Sequence, residues 1–190
     1  MKEYDIVIIG GGLSGSSAAL QLSIKGYTVL VIDKEISKKI KPCAGGMASS
    51  MKKYLPLDID LVIESKIKNV EFSWKSSDKV HADLLGESPF WIIKREKLDQ
   101  LLLEEALKHG TEVLRPVKVE DITQENDKWV TKCIEEGKYK SKFIIIADGS
   151  QSKWANHFNL GPRKPKFANT TALRLQGLGN IPKDTVRFEF

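Results

Sequence analysis

Residues 4–15 read Tyr4-Asp5-Ile6-Val7-Ile8-Ile9-Gly10-Gly11-Gly12-Leu13-Ser14-Gly15, and residues 28–33 read Thr28-Val29-Leu30-Val31-Ile32-Asp33. The first run is apolar and β-branched at consecutive positions. That pattern predicts a strand over residues 4–9 buried on both faces, as in the middle of a parallel sheet. A tight glycine turn follows. Residues 16–25 predict a helix with Ala18, Ala19 and Leu22 on one face and Gly26 as its stop. Residues 28–32 predict a second buried strand that ends in Asp33. The whole is one β-α-β unit.

The spacing Gly10-x-Gly12-x-x-Gly15 gives that unit a chemistry. The first glycine allows the turn. The second removes a Cβ where a pyrophosphate must approach the backbone, and the third lets helix and strand pack closely. The helix start presents N–H groups and the positive end of its dipole to phosphate. Ser14 adds a hydroxyl donor. A carboxylate at Asp33 accepts both hydroxyls of an adenosine ribose and repels a 2′-phosphate, so the site prefers FAD or NAD over NADP. The competing reading is a glycine-rich turn of an unrelated α/β protein with Asp33 capping a loop. The strand, turn, helix and acid coinciding in order argue against it.

After the second strand a Lys-rich stretch leads to Pro42-Cys43-Ala44-Gly45-Gly46, a loop whose small residues admit something close to the backbone. Residues 47–65 read as helix and then loop. Residues 69–74, 79–83 and 90–93 predict short strands of an inserted sheet. Residues 96–109 predict a helix with Leu98, Leu101, Leu102 and Ala106 on one stripe and Gly110 closing it. Residues 112–114 predict a parallel strand. Residues 117–122, 129–134 and 139–146 predict a meander whose last strand runs into Asp148-Gly149. Residues 172–175 and 186–190 predict two more strands. The sequence stops at Phe190 inside a predicted strand, which reads as a truncated protein. The fold class is therefore α/β, a Rossmann-like dinucleotide-binding domain over residues 1–66 and 94–165. Residues 67–93 and 166–190 form part of a second sheet.

The 190 residues suffice for one good core, and 41% hydrophobic with 29% charged residues is globular composition. The net charge of +5 comes from lysines scattered along the chain, which reads as a solvated surface and against nucleic-acid binding. Weak peripheral membrane contact through this surface stays open. Two separated cysteines, Cys43 and Cys133, predict a reduced, cytoplasmic chain. The four-residue apolar run before Gly10 is too short for a signal core or membrane span. His81, His109 and His157 lack partners at ligand spacing, so no metal is expected. Trp74, Trp91, Trp129 and Trp154 read as core or sheet-face residues, with Trp74 and Trp91 also suited to an apolar cavity.

Two later features favour FAD over NAD. Arg95 follows a strand and precedes a helix, where a guanidinium can neutralise a pyrophosphate; a surface ion pair with Glu96 or Asp99 is the plainer alternative. Ala147-Asp148-Gly149-Ser150-Gln151-Ser152 falls at the carboxyl end of a buried strand, where ligands bind in such sheets. Its plainer alternative is a turn with Ser150 as a helix cap.

The sequence resembles flavoproteins of the p-hydroxybenzoate hydroxylase fold, and within them the geranylgeranyl reductase family. The resemblance rests on Gly10–Gly15, Lys41-Pro42-Cys43-Ala44-Gly45-Gly46, Lys94-Arg95-Glu96-Lys97-Leu98-Asp99 and Ala147–Ser152. The Pro-Cys loop points to the reductase branch. The resemblance implies an extended FAD with Gly10, Gly12, Ser14 and Gly15 at the pyrophosphate, and Asp33 with Lys34 at the ribose. It also implies Cys43, Ala44 and Gly46 along the flavin, Arg95 at the phosphates, the Val119 backbone at the adenine, and Asp148 and Gly149 at the cofactor cleft. It implies hydride delivery to C=C bonds of a lipid-like isoprenoid chain, with NAD(P)H or ferredoxin as electron donor. Cys43 is the candidate catalytic residue, against its reading as a small loop residue without chemistry. A flavin monooxygenase or halogenase of the same fold, and a catalytically inactive dinucleotide-binding fragment, are the alternatives. The family's second Gly-Asp flavin motif and its aromatic substrate motif would fall beyond Phe190.

Overall fold

The computed structural model describes residues 1–35, 43–55, 59–75, 77–86, 88–161, 166, 168, 170–173 and 182–190. In chain order the elements begin with strand β1 (Lys2–Ile9), helix α1 (Leu13–Ile24), β2 (Val29–Ile32) and β3 (Gly46–Ala48). Two 3-10 turns follow at Ser49–Tyr54 and Ile59–Val62. Then come β4 (Ile63–Ile67), β5 (Asn69–Trp74), β6 (Ser77–Asp83), β7 (Phe90–Ile93), α2 (Arg95–Lys108) and β8 (Glu112–Leu114). The chain continues through β9 (Val119–Glu125), β10 (Lys128–Cys133), β11 (Gly137–Ile146), α3 (Lys153–His157) and β12 (Thr185–Glu189). Two compact units result, one of Met1–Ile40 with Asp99–Ala168, the other of Lys41–Leu98 with Asn169–Phe190.

The first unit is built on a six-stranded sheet of order β8-β2-β1-β11-β10-β9. The first four strands run parallel; β10 and β9 return antiparallel as a meander. Ile6, Val7, Ile8 and Ile9 are all buried, so β1 is covered on both faces, as its unbroken apolar run requires. Helix α1 presents small residues inward: Gly15, Ser16 and Ala19 are buried beside Leu20 and Ser23. The helix closes in a Schellman turn. Gly26 has φ +83, its N–H donates to Ser23 O, and the Tyr27 N–H donates to Leu22 O. One side of the sheet carries a core of Tyr4, Val7, Ile9, Leu30, Ile32, Val119, Ile122, Cys133 and Trp154.

The second unit holds two three-stranded sheets, β3-β7-β4 and β12-β5-β6. The predicted inserted sheet is thus split: β7 pairs with β3 and β4, while β5 and β6 pair with β12. Residues 41–66, assigned from the sequence to the nucleotide-binding part, cluster with this unit because β3 and β4 bond to β7. Within 47–65 the predicted helix is replaced by short strands and 3-10 turns. Ser49–Tyr54 buries no residue, so nothing there rewards a regular amphipathic helix. Of the strand expected at 172–175, Ala172 and Leu173 lie outside any strand, and 174–175 fall outside the described residues.

The β12-β5-β6 sheet inverts the usual partition. Glu71 and Ser73 are 5% and 3% exposed, whereas Phe72 and Trp74 between them are 40% and 56% exposed. Phe72 stacks on Phe188 with ring centroids 5.4 Å apart. On the polar face Arg187 Nε lies 2.6 Å from Glu71 Oε1, flanked by Lys79 at 3.7 Å and His81 at 3.6 Å, and Ser73 Oγ hydrogen-bonds Glu189. The Arg187 hydrogen bond holds the Glu71 carboxyl below its ordinary value.

Candidate functional site

Strand β1 has β2 on one side and β11 on the other, all parallel, so the chain winds away from it in two directions. Such a switch point opens a crevice at the carboxyl ends of the strands. Gly10, Asp33 and Asp148 follow the ends of β1, β2 and β11 and meet there. The ladders run on into the turns: the Gly10 N–H donates to Ile32 O at 2.8 Å, and the Ala147 N–H donates to Ile9 O at 2.8 Å.

The glycines are required by contact. Gly10 has φ +104, and a Cβ on it would lie 2.4 Å from Ala147 O and 3.1 Å from Asp148 Cα. A Cβ on Gly15 would lie 1.9 Å from Gly10 O. Gly12 is the N-cap of α1 in extended conformation, with no side-chain cap and no acid in the first turn. The first N–H groups of α1 therefore have neither an intrahelical acceptor nor a capping side chain, which is the arrangement that receives an anion. The Ser16 N–H opens the helix by donating to Gly12 O at 2.8 Å, and Ser16 Oγ donates to Gly11 O at 2.9 Å. Ser14 is exposed beside them.

Asp33 is pinned by its backbone. Its N–H donates to Leu114 O at 2.9 Å, and its carbonyl accepts from the Val117 N–H at 2.8 Å. Its Oδ1 accepts from the Glu35 N–H at 3.3 Å, and Oδ2 is turned toward Gly11. Lys34 follows it, exposed. Val119 is buried at the start of β9 and pairs with Cys133. Asp148 Oδ2 accepts from the Trp154 N–H at 3.4 Å, while Oδ1 is buried with no hydrogen-bond partner among the described residues. Gly149 has φ +99 and open space where a Cβ would stand. The cap of α3 is Ser152, whose Oγ accepts from the Ala155 N–H at 2.8 Å; Ser150, the cap considered from the sequence, sits in the turn before it.

In the second unit, Cys43 is half-buried, and its sulfur receives the Gly45 N–H at 3.4 Å and Arg95 Nη1 at 3.6 Å. Gly45 has φ +79, and a Cβ on it would sit 2.2 Å from Ile93 O. Gly46 pairs with Ile92 across the sheet, and Ala44 is exposed. Lys41 and Pro42 of this loop lie outside the described residues. The structure thus brings Cys43 and Arg95 together, and separately gathers Gly10, Gly12, Gly15, Asp33 and Asp148. Gly11, Ala147 and Gly45 stood inside the motifs quoted from the sequence without a role of their own, and Val117 was read only as a strand residue. The run of three glycines was the only visible signal for Gly11. Among the described residues no group of His, Cys, Asp and Glu is arranged to hold a metal, and no helix is long and apolar enough to cross a membrane.

A bare-backbone cradle where side chains would collide, an uncapped helix start, a carboxylate over the turn and an orphaned acceptor at Asp148 fit an adenine dinucleotide. The fold and the site define a Rossmann-like dinucleotide-binding domain of the type carried by flavin-dependent oxidoreductases. The chain belongs to the FAD binding domain family, which it matches over residues 3–173. An uncharacterized protein of Methanosarcina barkeri is 32% identical over 86% of this chain and 42% of its own length. The geranylgeranyl bacteriochlorophyll reductase-like protein of Thermoplasma acidophilum superposes with a TM-score of 0.67 at 24% identity, over 78% of this chain and 40% of that one. The p-nitrophenol 4-monooxygenase PnpA of Pseudomonas putida gives 0.72 at 20% identity, over 83% and 44%. These two likenesses establish a shared fold. The chain spans less than half the length of each of these proteins.

Proposed function

We propose that the chain is the FAD-holding part of a reductase that saturates C=C bonds of an isoprenoid chain. FAD, when bound, supplies hydride transfer once reduced by NAD(P)H or ferredoxin. The chain's own residues bind and orient. Gly10, Gly12 and Gly15 bare the backbone to the pyrophosphate, with Ser14 beside it. Asp33 accepts the ribose hydroxyls, with Lys34 adjacent and the Val119 backbone at the adenine. Asp148 and Gly149 border the cofactor cleft. Arg95 neutralises phosphate charge, and Cys43, Ala44 and Gly46 lie along the flavin. The observation that carries the reductase reading is the Cys43 loop, with the sulfur held by Arg95 Nη1 and the Gly45 N–H. The likeness in fold to the reductase-like Thermoplasma protein supports it. The partner is a lipid-like substrate, reached in the cytoplasm or at a membrane surface.

The likeness to PnpA favours a second reading, a monooxygenase or halogenase on the same fold. The two are separated by reducing the flavin of the FAD-loaded protein and adding an unsaturated isoprenoid. A reductase reoxidises its flavin under argon and consumes no extra oxygen in air. Substrate-stimulated oxygen uptake would establish the second reading instead. A chain that binds FAD and does neither would be a binding fragment without turnover.

A further inference from the structure

Position 11 is variable in the glycine fingerprint, and its backbone does not demand glycine, because Gly11 lies outside the left-handed region that Gly10 occupies. Space demands it. An ideal Cβ on Gly11 would lie 2.8 Å from Asp33 Oδ2 and 3.3 Å from both Cβ and Cγ of Asp33. The contact therefore involves the whole Asp33 side chain. Relief must come from turning that side chain, because the backbone under it is fixed. The Asp33 backbone is bonded on both sides, to Leu114 O and from the Val117 N–H, and Oδ1 is engaged by the Glu35 N–H. Gly11 is fixed as well, its carbonyl accepting from Ser16 Oγ.

We infer that Gly11 is a positioning residue: its missing side chain lets the Asp33 carboxylate lie over the glycine turn, where it can grip the adenosine ribose. The inference rests on the reading of this rim as the adenosine end of the FAD site. A methyl at position 11 displaces the carboxylate by a few tenths of an ångström and spoils the two hydrogen bonds it offers, while the phosphate cradle at Gly10, Gly12 and Gly15 is untouched. Gly11 then acts through Asp33 alone.

The test is a double-mutant cycle on FAD affinity, measured by quenching of flavin fluorescence on the full 190-residue chain. Asp33→Ala is expected to weaken FAD by about 10- to 100-fold, as loss of two charge-assisted hydrogen bonds should. Gly11→Ala is expected to weaken it about tenfold in the wild-type background and less than about twofold when Asp33 is already alanine. Equal losses in both backgrounds would overturn the proposal, since the methyl would then act on the phosphates or the helix start. An unweakened Gly11→Ala protein would overturn it too. A lack of effect from Asp33→Ala would instead defeat the placement of the ribose at Asp33, and the inference with it. Should Gly11→Ala melt early, Asp33→Ala in the same chain restores the melting point if the clash is with that side chain. Failure to restore it counts against the proposal.

Discussion

Replacing Gly15 by alanine adds one methyl where none fits. Its Cβ would stand 1.9 Å from Gly10 O, 3.0 Å from Gly10 C and 3.4 Å from Ile8 Cγ2. A carbon resting on a carbonyl oxygen needs about 3.3 Å, so helix and turn must separate by more than about 1 Å. The nearest atoms belong to backbone, and no rotamer change relieves them. Retreat of α1 would loosen Ala19 and Leu20, both fully buried against the sheet. Overfilling a packed site costs about 1–3 kcal/mol. An overlap this deep belongs at or above the top of that range, and the roughly 1 kcal/mol helix advantage of alanine offsets part of it. A net loss of about 2 kcal/mol corresponds to a fall of about 4–8 °C in melting temperature for a chain of this size. The same displacement moves the bare backbone away from the pyrophosphate, so FAD affinity drops at least about tenfold. Thermal unfolding followed by circular dichroism, with and without FAD, reads both. Gly86→Ala is the control: it has φ +95 and open space at its Cβ, so it strains the backbone of the second unit and leaves FAD binding intact. An unchanged melting point and affinity for Gly15→Ala would refute the close-packing argument.

Two more outcomes follow from the side-chain chemistry. Burial pushes the Cys133 thiol up to about 11, whereas Cys43 is half-exposed, so a thiol reagent at about pH 8 should label one cysteine in the native chain and two in denaturant. Cys43→Ser should abolish the native label; two thiols reacting at equal rates would contradict the burial of Cys133. Acid should weaken the fold in a defined direction. Hydrogen bonds from Lys2 to Glu112, from Lys142 to Asp5 and from Arg187 to Glu71 hold these carboxyls below their ordinary values. The unfolded chain therefore binds more protons between the folded and unfolded values. The stability these pairs contribute is complete above the ordinary values of 3.8 and 4.5 and is lost as pH falls through the folded ones. The urea midpoint should drop between about pH 5 and about pH 3, and a flat midpoint over that range would count against these pairs.

The first β-α-β unit was legible because each of its signals is local. An unbroken apolar run marks β1, glycines mark the turn, and Gly26 marks the stop. The Phe90–Ile93 and Glu112–Leu114 strands were legible for the same reason. Residues 47–65 were not, since the strands and 3-10 turns described there are too short to carry a period, and of their side chains only Ile59 and Val62 are buried. The alternation Val70-Glu71-Phe72-Ser73-Trp74 announces a strand but not which side is covered, and the covered side is the polar one. In the site, the phosphate cradle could be read from glycine spacing. The Cys43–Arg95 contact and the Gly11–Asp33 contact could not, because each joins residues brought together only by the fold.

The pairing of β1 with β11 has a consequence for synthesis. Lys2 is opposite Tyr139 and Ile9 opposite Ile146, so the first strand of this sheet to be synthesised waits for the last. Meanwhile Ile6 to Ile9 have only β2 to bond, and their other edge stands open to any passing strand. Such distant partners make for slow folding. Yield in a cell should accordingly depend on chaperone supply and growth temperature, and a nascent chain stalled before residue 137 should be the aggregating species.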